Sequence, residues 1–86
     1  MEPSDIIIRP VSSESALEKV EKENKLLFIV SQKSNKLQIK QAVERLYGVK
    51  VKSVNTMITP AAEKKAAVVL EKEFSATELA TKIGLL

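Results

Sequence analysis

Leu26-Leu-Phe-Ile-Val-Ser31 is apolar at every position before its serine. A strand alternates sides, so Leu26, Phe28 and Val30 face one way while Leu27 and Ile29 face the other. Apolar residues on both faces demand cover on both, which makes this a central strand. Directly upstream, Asn24 fits the left-handed end of a helix. Ser12 or Ser13 caps that helix, because a hydroxyl accepts from the otherwise unpaired first-turn amides. Ser15-Ala-Leu-Glu18 also has capping-box spacing, with a later start. Ala16, Leu17 and Val20 form a narrow apolar stripe, with Glu18, Lys19, Glu21, Lys22 and Glu23 outside it, so the helix docks by one edge. Earlier still, Asp5-Ile-Ile-Ile-Arg9, closed by Pro10, reads as a brief strand.

Downstream of the central strand, Asn35 caps a second helix, with Gln38 three residues on in capping-box spacing. Ile39, Ala42, Val43 and Leu46 follow helical periodicity, and Gly48 is the stop because glycine enters the left-handed conformation without a side-chain penalty. Val49 to Ile58 is a strand whose alternation changes parity part-way. Val49 and Val51 share one side, while Val54, Thr56 and Ile58 share the other. A bulge near Lys52-Ser53, or a strand that begins only after them, explains the shift. Thr59-Pro-Ala-Ala-Glu63 is a short connection in which Pro60 prevents a continuous ladder. Lys64 to Glu71 returns, with Ala66, Val68 and Leu70 on one face and Ala67 and Val69 on the other. Ser75-Ala-Thr-Glu78 opens a last helix, Phe74 and Leu79 sit at the hydrophobic-staple positions, and Gly84 ends it. The order β-α-β-α-β-β-α predicts an α+β fold: a small two- or three-layer plait with a mostly antiparallel four-stranded sheet and helices packed on it. A chain of 86 residues is read as a single domain, 1–86.

The composition excludes most catalytic classes. There is no cysteine and no histidine, so thiolate chemistry, the commonest metal ligand and the commonest neutral-pH base are all absent. Two glycines, Gly48 and Gly84, cannot build a glycine-rich phosphate loop. The acidic cluster Glu18, Glu21 and Glu23 is interleaved with lysines and reads as a solvated helix face. The sequence carries no cofactor signature and reads as that of a non-enzymatic protein. No apolar run approaches the length of a membrane span and no apolar leader follows the start, so a soluble, cytoplasmic protein without direct membrane insertion is expected.

The net charge is only +3, but it is unevenly placed. Between Lys33 and Lys65 lie eight basic residues against Glu44 and Glu63, a net +6, whereas the rest of the chain carries six basic and nine acidic residues, a net −3. The first segment is a candidate polyanion surface, and lysines spread for solubility are its plain alternative. Lys36 and Lys40 stand four apart on one helix side and reach toward the same partner. An α/β plait that stacked unpaired bases would need sheet aromatics, but only Phe28, Tyr47 and Phe74 exist. Phe28 reads as core, Phe74 as the staple and Tyr47 as packing at a helix end. Recognition of RNA would therefore run through phosphates, 2′-hydroxyls and shape.

Pro10-Val-Ser-Ser-Glu14, Asn24-Lys25, Phe28-Ile-Val30, Ser34-Asn-Lys36 and Ile39-Lys40-Gln-Ala-Val-Glu44 come in an order that resembles a known family. Val49-Lys-Val51, Val54-Asn-Thr56 and Lys64-Lys-Ala66 complete the set. Across Arg9 to about Leu79 it is similar to the large-subunit ribosomal protein twenty-three family. The resemblance implies a structural constituent of the large ribosomal subunit that binds large-subunit ribosomal RNA near the exit of the nascent-peptide tunnel. It also implies neighbouring ribosomal proteins as partners, and a docking platform for the signal recognition particle and the protein-conducting channel. The expected RNA-binding residues are Arg9, Lys33, Asn35, Lys36, Lys40, Asn55, Thr56, Lys64 and Lys65. For Asn55 and Thr56 an exposed strand face or bulge is the competing explanation. Glu14 matches the acidic residue at which exit-site factors dock, and it also suits the dipole at a helix start.

Departures from the family pattern are few. Ser15 stands where a basic residue is usual, and Val69 where a polar or basic one is common. Thr59 to Glu63 is far too short for the basic hairpin of bacterial members. Only a few residues precede Ile6, where eukaryotic members carry a long basic extension. Both features suggest the archaeal type. A free-standing RNA-binding or protein-interaction module is the alternative, and co-sedimentation with large subunits would separate the two.

Overall fold

The computed structural model describes residues 2–85. A one-turn helix α1 (Pro3–Ile6) leads into β1 (Ile7–Pro10), followed by α2 (Glu14–Glu23), β2 (Lys25–Val30), α3 (Lys36–Tyr47), β3 (Val51–Ile58), β4 (Lys64–Leu70) and α4 (Ala76–Lys82). The four strands form one sheet in the order β1-β2-β4-β3, and every neighbouring pair is antiparallel. From β1 onward this is the expected α+β order, with β2 and β4 at the centre.

Leu26, Phe28 and Val30 are no more than 1% exposed. They join Ala66, Val68 and Leu70 of β4, Ile39, Ala42 and Val43 of α3, and Ala76, Leu79 and Ala80 of α4 in the main core. Each of the larger side chains stabilises the fold by about 1.5–3 kcal/mol relative to exposure. Leu27 and Ala67, on the opposite face, pack with Ala16 of α2 and with Val11. Helix α2 therefore serves both faces, giving Ala16 to one cluster and Val20 to the other. Tyr47 lies nearly parallel to the buried Phe28 ring, centroids 5.9 Å apart, and burial pushes its phenol pKa upward.

The start of the chain differs from expectation. Asp5 and Ile6, read as strand, belong to α1, where the Asp5 amide donates to the Glu2 carbonyl at 2.9 Å. A regular strand would put Ile6 and Ile8 on one face and Ile7 on the other. The structure instead buries Ile6 and Ile7 in the same core and leaves Ile8 59% exposed. A helical turn before Ile7 and a bulge between Ile7 and Arg9 achieve this. The parity change in β3 has the first of its two expected explanations: the strand begins at Val51, and its register shifts between Val51 and Ser53.

The helix ends follow local chemistry. Ser13, not Ser12, caps α2 by accepting from the Ala16 amide. Asn35 Oδ1 accepts from the Gln38 amide at 2.8 Å, while Gln38 Oε1 accepts from the Asn35 amide at 3.0 Å. Gly48 ends α3 at φ +66°. Ser75 caps α4 through the Glu78 amide. Asn24 ends α2 at φ +53° and does more than terminate it. Its Nδ2 donates to the Phe74 carbonyl at 2.9 Å and to the Leu70 carbonyl at 3.3 Å, and its Oδ1 accepts from the Ala76 amide at 2.7 Å. One side chain thus ties α2 to the connection between β4 and α4.

Candidate nucleic-acid interface

One end of the sheet gathers most of the expected RNA-binding residues. There β2 finishes at Val30, β3 finishes at Ile58, β4 starts at Lys64, and α3 starts at Lys36. Lys33, Asn35 and Lys36 are exposed on the turn and first residue that lead into α3. Asn35 uses its carbonyl oxygen for the cap and has no side-chain donor bond among the described residues. Its amide group therefore remains available to an acceptor.

Alternation divides the rest between the two faces of the sheet. Thr56 is paired with Ala66 and Lys64 with Ile58, on the face of the main core. Asn55 is paired with Ala67 and Lys65 with Met57, on the opposite face. The two sets adjoin at the start of β4 and along β3, which is an edge strand.

Two of the expected residues are placed differently from the others. Arg9 is paired with Glu63 at 3.1 Å, an exposed contact that a phosphate could compete for. Lys40 lies in a shallow groove with Lys50, where Glu44, Glu71 and Glu73 also sit, so its surroundings are mixed in sign. Glu44 itself accepts from the Val51 amide at 2.9 Å and fixes the entry to β3.

The ion pairs are the telling feature. Among the described residues they are Arg9–Glu63, Lys19–Glu23 and Lys25–Glu23. None involves any of the eight basic residues from Lys33 to Lys65. The acid at the end of that segment, Glu63, is turned toward Arg9, outside it. Base stacking has no platform here, since Phe28 is fully buried and Tyr47 and Phe74 pack against the core. Among the described residues no group of His, Cys, Asp or Glu could hold a metal ion, and no helix is long and apolar enough to cross a membrane.

A cationic sheet edge of this kind suits many folds. The family model for ribosomal protein L23 matches residues 5–81 of this chain. The chain belongs to the ribosomal protein L23 family. It is 49% identical over 81 residues to large ribosomal subunit protein uL23A of Caenorhabditis elegans, covering 94% of this chain and 55% of that protein. It is 48% identical over 86 residues to large ribosomal subunit protein uL23 of Dictyostelium discoideum, covering 100% of this chain and 51% of that one. The chain spans about half the length of these curated L23-family relatives.

Sequence reasoning missed the residues that hold this L23-family surface in place. Ser34 is the one buried polar residue among the described residues, and both its amide and its hydroxyl donate to the Ser31 carbonyl. Gln32 Nε2 donates to the Ala62 carbonyl, and Lys64 Nζ to the Ser34 carbonyl. Ala62 accepts a φ of +62° in the tight Thr59–Glu63 connection. A glutamine in a polar turn and an alanine in a loop give no sequence signal of these contacts. Glu14 is exposed in the first turn of α2, as its expected docking role requires.

Proposed function

We propose that this chain is a non-enzymatic structural constituent of the large ribosomal subunit that binds large-subunit ribosomal RNA in the cytoplasmic ribosome. The observation that carries the reading is the set of eight cations between Lys33 and Lys65 that have no ion-pair partner among the described residues, in a chain of the ribosomal protein L23 family. Outside that segment Lys19 and Lys25 find carboxylates, whereas no cation within it does, and those not bound elsewhere in the chain are left for a partner's phosphates. Asn35, Asn55 and Thr56 add short polar groups that reach sugars or phosphates at close range. The test is binding to folded large-subunit ribosomal RNA across a salt series. With about four lysines on phosphates, the log–log slope is expected on the order of −3 to −4. A salt-insensitive complex, or equal affinity for an unrelated single-stranded RNA, would overturn the proposal.

The finer reading places the domain near the tunnel exit beside other ribosomal proteins, with Glu14 docking the signal recognition particle or the protein-conducting channel. Its support is the exposure of Glu14 on the charged side of α2 together with the family resemblance. Glu14→Ala should leave incorporation into large subunits intact and weaken recruitment of those factors. Unchanged recruitment, with a small loss of stability, would leave Glu14 a helix-start residue. The archaeal-type character rests within the chain on the short Thr59–Glu63 connection. The relatives named above are eukaryotic and do not support it.

A further inference from the structure

Lys64 and Lys65 read alike in the sequence, as a lysine pair for phosphates, but the sheet separates them. Lys65 shares the face of Asn55 and Met57, whereas Lys64 points to the helix side, where its ammonium donates to the Ser34 carbonyl. That carbonyl directly precedes Asn35, the cap of α3. The turn it belongs to is closed by two bonds from Ser34 to the Ser31 carbonyl, and Gln32 fastens the same turn to Ala62. Lys33, Asn35 and Lys36 ride on this turn.

We infer that Lys64 is a positioning residue: it holds the Ser31–Asn35 turn against the start of β4, so that Lys33, Asn35 and Lys36 are presented together, and it does not itself meet RNA. The inference rests on the RNA-binding reading above. A turn without this tie would leave three RNA-facing groups to be ordered during binding, which costs conformational entropy. The ammonium suits the task because its four-carbon stem spans the gap from strand to turn, and a charged donor makes a stronger bond to a carbonyl than a neutral one.

The experiment compares Lys64→Met, Lys36→Met, Lys65→Met and the double variant Lys36→Met/Lys64→Met. Two readouts are used: amide hydrogen exchange of the free protein, and binding to in vitro transcribed large-subunit ribosomal RNA at several salt concentrations. Lys64→Met is expected to speed exchange at the Ser34 and Gln38 amides, with β2 and β4 amides unchanged as the check on folding. Lys65→Met should leave the Ser34 and Gln38 amides unaffected. In binding, Lys64→Met should lose roughly tenfold, the scale of one charged hydrogen bond. The double variant should lose clearly less than the product of the single losses, because both changes act through one turn. Losses that multiply, together with turn exchange that stays slow, would show Lys64 to be an independent phosphate contact and overturn the inference. Full affinity in Lys64→Met would overturn it as well. If Lys36→Met and Lys65→Met also bind normally and the salt slope is flat, the RNA-binding reading itself has failed, which is a distinct result.

Discussion

At the start of β2, Asn24 commits its side chain to the chain itself, with bonds to Leu70, Phe74 and Ala76. Its neighbours do likewise, since Glu23 is paired with both Lys19 and Lys25. Beyond the other end of the strand, Asn35 uses only its oxygen, on the Gln38 amide three residues away, and Lys33 and Lys36 beside it have no carboxylate partner among the described residues. The two ends differ little in residue type. They differ in whether polar groups find their partners inside the molecule. Groups satisfied internally hold the elements together, and groups left with spare donors or charge are the ones a polyanion can use.

The sharpest way to break this comparison is to remove both asparagines separately. Asn24→Ala should cost roughly 2–4 kcal/mol in chemical denaturation, since it strands several half-buried backbone groups and leaves alanine in a left-handed conformation that the asparagine side chain had made tolerable. Asn35→Ala should cost about 1 kcal/mol, the ordinary loss of a helix cap. Equal losses would mean that the tertiary bonds of Asn24 contribute nothing beyond its local role.

Charge reversal sharpens the comparison in the other direction. Lys36→Glu should weaken binding to large-subunit ribosomal RNA by about tenfold or more, because it deletes a phosphate contact and adds repulsion. Its stability should stay within about 0.5 kcal/mol of the parent. Lys22→Glu, on the exposed side of α2, should barely change binding. If the two reversals weaken binding equally, the cations from Lys33 to Lys65 are not the RNA surface.

The smallest expected effect is at Glu23. The hydrogen bond from Lys25, and then the charges of Lys25 and Lys19, hold its carboxyl below the ordinary 4.5. A carboxyl lowered in the folded state contributes stability above its unfolded pKa and loses it as pH falls through the folded value. Acid unfolding of the parent should therefore include a slight loss that begins near pH 4.5 and continues below it, and Glu23→Gln should remove that part. Because Glu23 is exposed, the effect should shrink further in high salt. An identical acid profile in the Gln variant would show that this end gains nothing from its ion pairs.

How much of this was legible in the sequence depended on the range of the interaction. The capping box at Asn35, the left-handed ends at Asn24 and Gly48 and the two-sided burial of β2 all follow from residues within a turn of one another. Their chemistry is local, so pattern alone settled them. The +6 segment was equally plain, because charge can be counted along a chain. Tertiary structure decided three other things. It folded Asp5 and Ile6 into a helical turn so that Ile6 and Ile7 could share a core. It made Asn24 a tie to residues about fifty positions away. It gave Lys64, but not its neighbour Lys65, a bond to the Ser34 carbonyl thirty positions away. In each case the deciding partner is remote in sequence: a carbonyl, an amide or a core site that exists only once the sheet has formed.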